Sequence, residues 1–458
     1  MPKTIRIRSI RRLTADGNHN AFTGAAWFKG ALYVAFRQGD AHVCNQGRLV
    51  VLRSRDGGAR FDTVHIARGE VDTRDAHLYV AGDRLYLVGF EADRSSGMAW
   101  TDNGLNWSPW TRYPDTKDWW LWKPQFFGGR HYCAAYGGFT AGSWAVAWFE
   151  SDDGLHWQKR QTLREGKDQP SECYLDFKPN GSAALLMRRD GARTPLLLRA
   201  EPPYRDWKVT ELDVPMTNPA LWFVDDDIWI TGRWFVQSAA HLGVFKLVND
   251  RPELHLVLPS GPGWDCTYAG IARHPVNRHR FAISYYSGHT APDDPTVEQW
   301  SHPDIYLADA VFDASFIERW KVSEVVPLER ALSELSCPDP DRGGMRWTEL
   351  GILGEEQHAY GFVDATQQVG GRAGVIYFVA DIEVGPTDRA YLHVGFDGPV
   401  RFWVNGEPVF AGSGTNPAVV DAHSVPVTFR HGRNRIAAAL DTNGGKACGI
   451  FARYEPRS

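Results

Sequence analysis

Three short segments of this chain share one pattern. Ser54-Arg55-Asp56-Gly57-Gly58-Ala59-Arg60-Phe61, Thr101-Asp102-Asn103-Gly104-Leu105-Asn106-Trp107 and Ser151-Asp152-Asp153-Gly154-Leu155-His156-Trp157 each run from a hydroxyl residue through Asp or Asn to Gly, and then to an aromatic. Trp107, Trp157 and Trp207 stand at intervals of 50 residues, the last in a glycine-free variant, Tyr204-Arg205-Asp206-Trp207. Gly accepts positive φ, and an Asx side chain can bond nearby backbone amides, so each segment predicts a tight turn. Each turn follows an apolar run, such as Gly47–Arg53 or Val146–Glu150, and so closes a hairpin. A repeat of this length is one supersecondary unit that buries its apolar faces only against its neighbours, so the chain must form an array or a ring.

Between the turns lie short apolar runs: Ala31–Arg37, Arg84–Phe90, His131–Tyr136, Ala183–Arg188, Asp227–Arg233 and Arg280–Tyr286. They have strand length, are bounded by turn residues and lack helical periodicity. Six units begin near residues 19, 74, 122, 172, 218 and 268. The fold class expected is all-β: a six-bladed β-propeller over 1–313, followed by a jelly-roll-like β-sandwich over 350–458. The opening strand, Thr4–Ile10, would close the ring. A stack of sandwiches is the alternative.

Residues 314–349, with several charges, Pro338, Pro340 and a Gly pair, read as a linker with one short helix. Strands resume at Gly374–Ile382, Ala390–Phe396, Val400–Val404 and Arg435–Leu440, and Asn405-Gly406 marks a hairpin. Trp403, Asp421, His423 and Asn443 of this second module are candidate sugar contacts; a purely structural cap is the alternative.

Charge and composition remove several partners. The formal net charge is −5, which leaves no basic excess for phosphate contacts, so nucleic acid is not expected. No apolar run reaches the ~20 residues of a membrane helix. MPKTIRIRS lacks the apolar core of a signal peptide, so the protein is expected to be cytoplasmic, or secreted with a leader removed. The six cysteines are scattered without CxxC or Cys/His spacing, so neither a metal nor another cofactor is expected. The 19 tryptophans suit packed β-repeats or a sugar-stacking surface, and the expected partner is an oligosaccharide or polysaccharide. The oligomeric state is left open.

The three turns resemble the Asp-boxes of the sialidase superfamily. Ser171-Glu172-Cys173-Tyr174 through Met187-Arg188 is similar to the segment of that superfamily in which a Glu opens a blade and an Arg follows sixteen residues later. The resemblance covers about residues 15–312. It implies that Glu172 activates a tyrosine nucleophile and that Arg188 binds a substrate carboxylate. Tyr268, in Thr267-Tyr268-Ala269-Gly270, stands where the nucleophile should open the last blade, and Arg233 is a further carboxylate-binding candidate. The pattern departs at the first blade. His19-Asn20-Ala21-Phe22-Thr23 replaces the family's Arg-Ile-Pro, and Asp40-Ala41-His42 lies where the acid/base aspartate is expected, so the acid is Asp40 or His42.

Blade-opening strands converge on a propeller's axis, which brings His19, His42, Arg74, Asp75, His77, Trp122, Lys123, Glu172, Arg188, Arg233, Tyr268 and His289 together. Arginine forks hold a carboxylate. The substrate-binding set is therefore Arg188, Arg233, Arg74, Lys123 and Trp122, with Trp122 stacking on a ring. The catalytic set is Tyr268, Glu172, His42, Asp40 and His19. The function expected is a sialidase-like glycoside hydrolase acting on a terminal acidic sugar, a tyrosine-nucleophile exception to the two-carboxylate scheme. Two alternatives stand beside it. One is a lyase of uronate glycans using His or Tyr as acid and base, since His19 and His42 resemble the His-rich sites of propeller-fold lyases and rhamnosidases. The other is a non-catalytic carbohydrate-binding propeller.

Overall fold

A computed structural model describes residues 4–140, 143–236, 239–260, 265–275, 279–289, 302–313, 316–353, 361–384, 389–414 and 416–456. The chain divides into two compact units, Ser9–Val311 and Phe312–Ser458 together with Met1–Arg8.

The first unit is a six-bladed propeller. Six antiparallel sheets follow one another in chain order, and their first strands are His19–Phe28, Thr73–Ala81, the broken pair Trp119–Trp120 and Gln125–Phe127, Pro170–Phe177, Met216–Val224 and Thr267–Arg273. The opening strand, Thr4–Arg12, stands at the outer edge of the sixth sheet. The first strand of blade one lies against those of blades two and six, and the first strand of blade four lies against those of blades three and five, which closes the ring. Each blade buries both faces against its neighbours. Inner strands therefore carry continuous apolar runs, such as 31–36 of Ala31–Gly39, whereas outer ones such as Gln158–Gly166 are mostly exposed. Between blades three and four, for example, Trp148, Val146 and Tyr136 pack against Leu175, Leu185 and Met187.

The hydroxyl–Asx–Gly turns join the third and fourth strands of blades one to three. In each, the hydroxyl accepts from the backbone N–H of a glycine: Gly58 to Ser54 at 2.8 Å, Gly104 to Thr101 at 2.9 Å and Gly154 to Ser151 at 2.9 Å. The Asx side chain then accepts two further backbone N–H groups, as Asp153 does from Leu155 and His156 at 2.8 Å each. Gly104 sits at φ +76°, and a Cβ there would collide with the Tyr33 hydroxyl. Left-handed strain and the clash together predict that Gly104→Ala costs about 2–4 kcal/mol. A urea midpoint unchanged from that of the parent chain would show that this turn does not hold the rim.

A second repeated feature shapes the axis. The ladder between the first two strands shifts register at Ala21/Gly24, Arg74/His77, Pro170/Cys173, Thr217/Ala220 and Thr267/Gly270. Five blades thus carry a bulge at one level. A bulge re-aims side chains, and the residues it turns inward include Phe22, Asp75, Glu172, Asn218 and Tyr268. Phe22, Asp75, Asn218 and Tyr268 have positive φ, as does Lys123 at the break in blade three.

The second unit is a sandwich of a six-stranded and a four-stranded sheet. Alternate residues of Val375–Val384, among them Ile376, Phe378, Ala380 and Ile382, face a core shared with Leu392, Val394 and Phe396 of Arg389–Phe396. Asn405 and Gly406, at φ 52° and 88°, turn the hairpin between Val400–Val404 and Glu407–Gly412. The reading of 314–349 as a linker is corrected here. Arg319–Ser323 pairs with Trp347–Gly351 and with Val375–Val384 inside the larger sheet. Leu332, Leu335, Cys337, Met345 and Trp347 cover that sheet's second face, over Tyr377 and Trp403. These apolar residues are too widely spaced to show a period, so the segment reads as loop although it is part of the sandwich. The short helix expected there is a single 3-10 turn, Leu332–Glu334.

Candidate active site

Glu172 and Tyr268 occupy bulges of blades four and six and meet across the axis. The Tyr268 hydroxyl donates to Glu172 Oε1 at 2.6 Å. Arg188, from the second strand of blade four, donates from Nη1 to Glu172 Oε2 at 2.7 Å and to the Tyr268 hydroxyl at 3.2 Å, and from Nε to Asp190 at 2.8 Å. Burial raises the Tyr268 phenol well above its ordinary value and the charge of Glu172 raises it further, against Arg188 and Arg233. Burial would lower Arg188, but Glu172, Tyr268 and Asp190 outweigh it and hold the guanidinium charged. The pair is therefore a protonated phenol and a carboxylate acceptor, clamped by one arginine.

Arg233 and Arg74 complete a cationic surround. Arg233 is buried and donates from Nε and Nη2 to the Cys266 carbonyl at 3.2 and 2.9 Å. Arg74 lies 5.0 Å over the Phe22 ring, between Asp72 at 3.6 Å and Asp75 at 3.7 Å. Both interact electrostatically with Tyr268. Phe22 takes the first-blade position, its ring 5.3 Å from that of Tyr268. Asp75 is fully buried beside Arg74, and burial raises it to about 7.

On the blade-one side a second cluster forms. His19 Nε2 and His42 Nδ1 each lie 2.8 Å from the same oxygen of Asp265, Oδ2, while the Tyr286 hydroxyl donates to Oδ1 at 2.7 Å. The facing ligand atoms of His19, His42 and Asp265 lie within 4.8 Å of one another, so this trio could hold a metal ion. Burial would raise Asp265, but the hydrogen bonds from the two histidines hold it below the ordinary carboxylate range. Burial keeps His19 below the ordinary histidine value although Asp265 opposes it. The His42 ring packs edge-on against Phe22 at 5.3 Å, and Tyr286 stacks on Tyr268 at 6.1 Å, so the two clusters share walls.

Several sequence expectations are corrected. Trp122 is 2% exposed and cannot stack on a sugar; it packs on His77, Tyr136 and Tyr268. Lys123 is also buried. Its ammonium donates to the Ala269 carbonyl at 2.7 Å, and burial pulls it down to about 7. With His77 it lines an axial cavity of about 240 Å³ that includes none of Glu172, Arg188 and Tyr268. Asp40 is exposed and has no hydrogen bond or ion pair among the described residues, so nothing holds it as an acid. His289 packs on Tyr306 at 4.5 Å. In the sandwich, Trp403 is core, Asp421 pairs with Arg453, His423 stacks on Phe396, and the Asn443 backbone bonds Asp441.

Asp265 and Tyr286 escaped the sequence reading. Asp265 lies three residues before Tyr268, and Tyr286 pairs with Thr267 across the ladder. Proximity to the nucleophile candidate was the available signal.

No family model matches the chain, and no curated protein matches it in sequence. In structure it is similar to Trypanosoma rangeli sialidase in complex with the inhibitor DANA, at 11% identity over 98% of this chain and 94% of that one, with a TM-score of 0.50. The same sialidase in complex with sialic acid gives 10% identity over 99% and 94%, with a TM-score of 0.49. Penicillium chrysogenum α-L-arabinanase complexed with arabinobiose gives 11% over 68% and 98%, with a TM-score of 0.45. What the first likeness shows is the fold alone, a β-propeller. Chemistry has to be argued from the residues.

Proposed function

We propose that this protein is a retaining, sialidase-like glycoside hydrolase that removes a terminal acidic sugar from a glycan. The observation that carries the reading is the 2.6 Å hydrogen bond from Tyr268 to Glu172 within a surround of three arginines. A buried phenol is too weak an acid to ionise alone, so it needs a base already in place. In the first step Glu172 Oε1 takes the phenolic proton, the Tyr268 oxygen bonds to the anomeric carbon, and the bond to the leaving oxygen breaks. His42, which borders Phe22 on the blade-one side, gives a proton to that leaving oxygen. In the second step water attacks the anomeric carbon and passes a proton to His42, the sugar–tyrosine bond breaks, and Tyr268 regains its proton from Glu172. Arg188 keeps Glu172 and Tyr268 in register, while Arg233 and Arg74 supply the positive field for a substrate carboxylate. The Asp-box resemblance of the rim turns agrees with this family of chemistry.

The test is a screen of the purified chain against aryl sialosides, aryl rhamnosides and uronate oligosaccharides, with absorbance of unsaturated uronate followed in parallel. The hydrolase reading expects release of the aglycone from an acidic glycoside without unsaturation. An unsaturated product would replace it with the lyase. Saturable glycan binding without any product would replace it with the binding propeller.

A further inference from the structure

We propose that His19, His42 and Asp265 form a binding site for one divalent transition metal of the zinc series. The inference concerns binding alone and does not depend on the hydrolase reading.

The geometry is that of a preformed ligand set. Two imidazole nitrogens approach one carboxylate oxygen at 2.8 Å each. Tetrahedral zinc with bonds of about 2.0–2.1 Å spaces its ligand atoms about 3.3 Å apart, so each 2.8 Å contact would have to widen by about 0.5 Å to admit the ion. The two rings are nearly perpendicular, at 84°, with centroids 5.4 Å apart, so both can present a lone pair to one point without clashing. The far carboxylate oxygen is held by the Tyr286 hydroxyl at 2.7 Å, the kind of outer contact that fixes a ligating carboxylate. His19 and Asp265 are buried, while His42 is partly exposed, which leaves an open side for water or a substrate oxygen beside Phe22. Two imidazoles and one carboxylate favour zinc, cobalt, nickel or iron over magnesium or calcium, which prefer oxygen ligands alone. The hydrogen-bonded trio without metal is the competing account: each histidine donates to Asp265, and the cluster is then only a brace between blades one and six.

Calorimetric titration of the metal-stripped full chain with zinc chloride, without substrate, separates the two. One saturable site per chain is expected. It should disappear in His42→Ala, whose partly exposed ring can be removed without opening the core, and weaken about 10–100-fold in Tyr286→Phe, which keeps every ligand but frees the carboxylate. Circular dichroism of both variants establishes that they are folded. Anomalous scattering at the zinc edge should place a peak among the three side chains. Absence of saturable zinc and cobalt binding, or zinc binding equal in parent and His42→Ala, overturns the proposal. Exposed His156, paired with Asp153, would account for the latter result.

Discussion

Tyr268→Phe should fold and fail to turn over substrate. The substitution removes one hydroxyl and leaves the ring against Phe22, Trp122 and Tyr286. It deletes the hydrogen bond to Glu172 but leaves Glu172 its partner Arg188, so no buried charge is stranded. Stability should fall by about 1–2 kcal/mol, the ordinary cost of one buried hydrogen bond. Turnover should fall at least ~10³-fold, roughly 4 kcal/mol of lost transition-state stabilisation, because no other group stands in the nucleophile's place. Glu172→Gln should also lower turnover, about 10²–10⁴-fold as expected for loss of a general base. It is the less clean variant. An amide that accepts from Tyr268 turns its NH2 toward Arg188 Nη1, donor against donor, so some stability is lost as well. Tyr268→Phe retaining near-full activity would sink the tyrosine mechanism, and the histidines on Asp265 would then become the acid–base centre to test.

The fold was legible because its signals are local. A hydroxyl, an Asx and a glycine within four or five residues close a turn wherever they occur, and three such turns, starting 47 and then 50 residues apart, imply blades. The Glu172–Arg188 relation was legible for the same reason: the residues lie on adjacent strands of one hairpin. What the sequence hid was enclosure and distance. Trp122 lies in the break between the two short first strands of blade three, and its ring is enclosed by His77, Tyr136 and Tyr268, side chains from blades two, three and six. A linear pattern of aromatics cannot reveal that enclosure. Asp265 is separated from His42 by 223 residues and joins it only when blade six closes on blade one, so no spacing rule could connect them. Asp40 looked equivalent to His42 because both lie on one loop, yet only His42 has a buried partner to hold it. The segment 314–349 was misread because a covering layer needs only scattered apolar contacts, which resemble a linker.

Arg37→Met should be the most destabilising single change near the site. Arg37 is fully buried, donating from Nε and Nη2 to the two oxygens of Asp72 at 2.9 and 3.1 Å and from Nη1 to the Ala41 carbonyl at 3.0 Å. It thus ties blade one to the start of blade two and anchors the loop that carries His42. The approach is close enough that a Cβ on Gly47 would collide with Asp72. Methionine fills much of the volume but leaves the Asp72 carboxylate buried with Arg74, at 3.6 Å, as its one remaining cation among the described residues. Breaking one side of a buried pair in this way costs about 3–5 kcal/mol, far more than the pair contributes relative to apolar replacements. The double variant Arg37→Met with Asp72→Leu should therefore recover most of the loss in a urea melt. It should not recover the loop anchor, since the Ala41 carbonyl still lacks its donor, nor the contact between Asp72 and Arg74. Turnover of the acidic glycoside should then stay reduced in a protein whose stability is restored. Should both variants unfold at the parent midpoint, Arg37 is dispensable to the fold. If the double variant regains stability and full turnover together, the Ala41 and Arg74 contacts do not position the site.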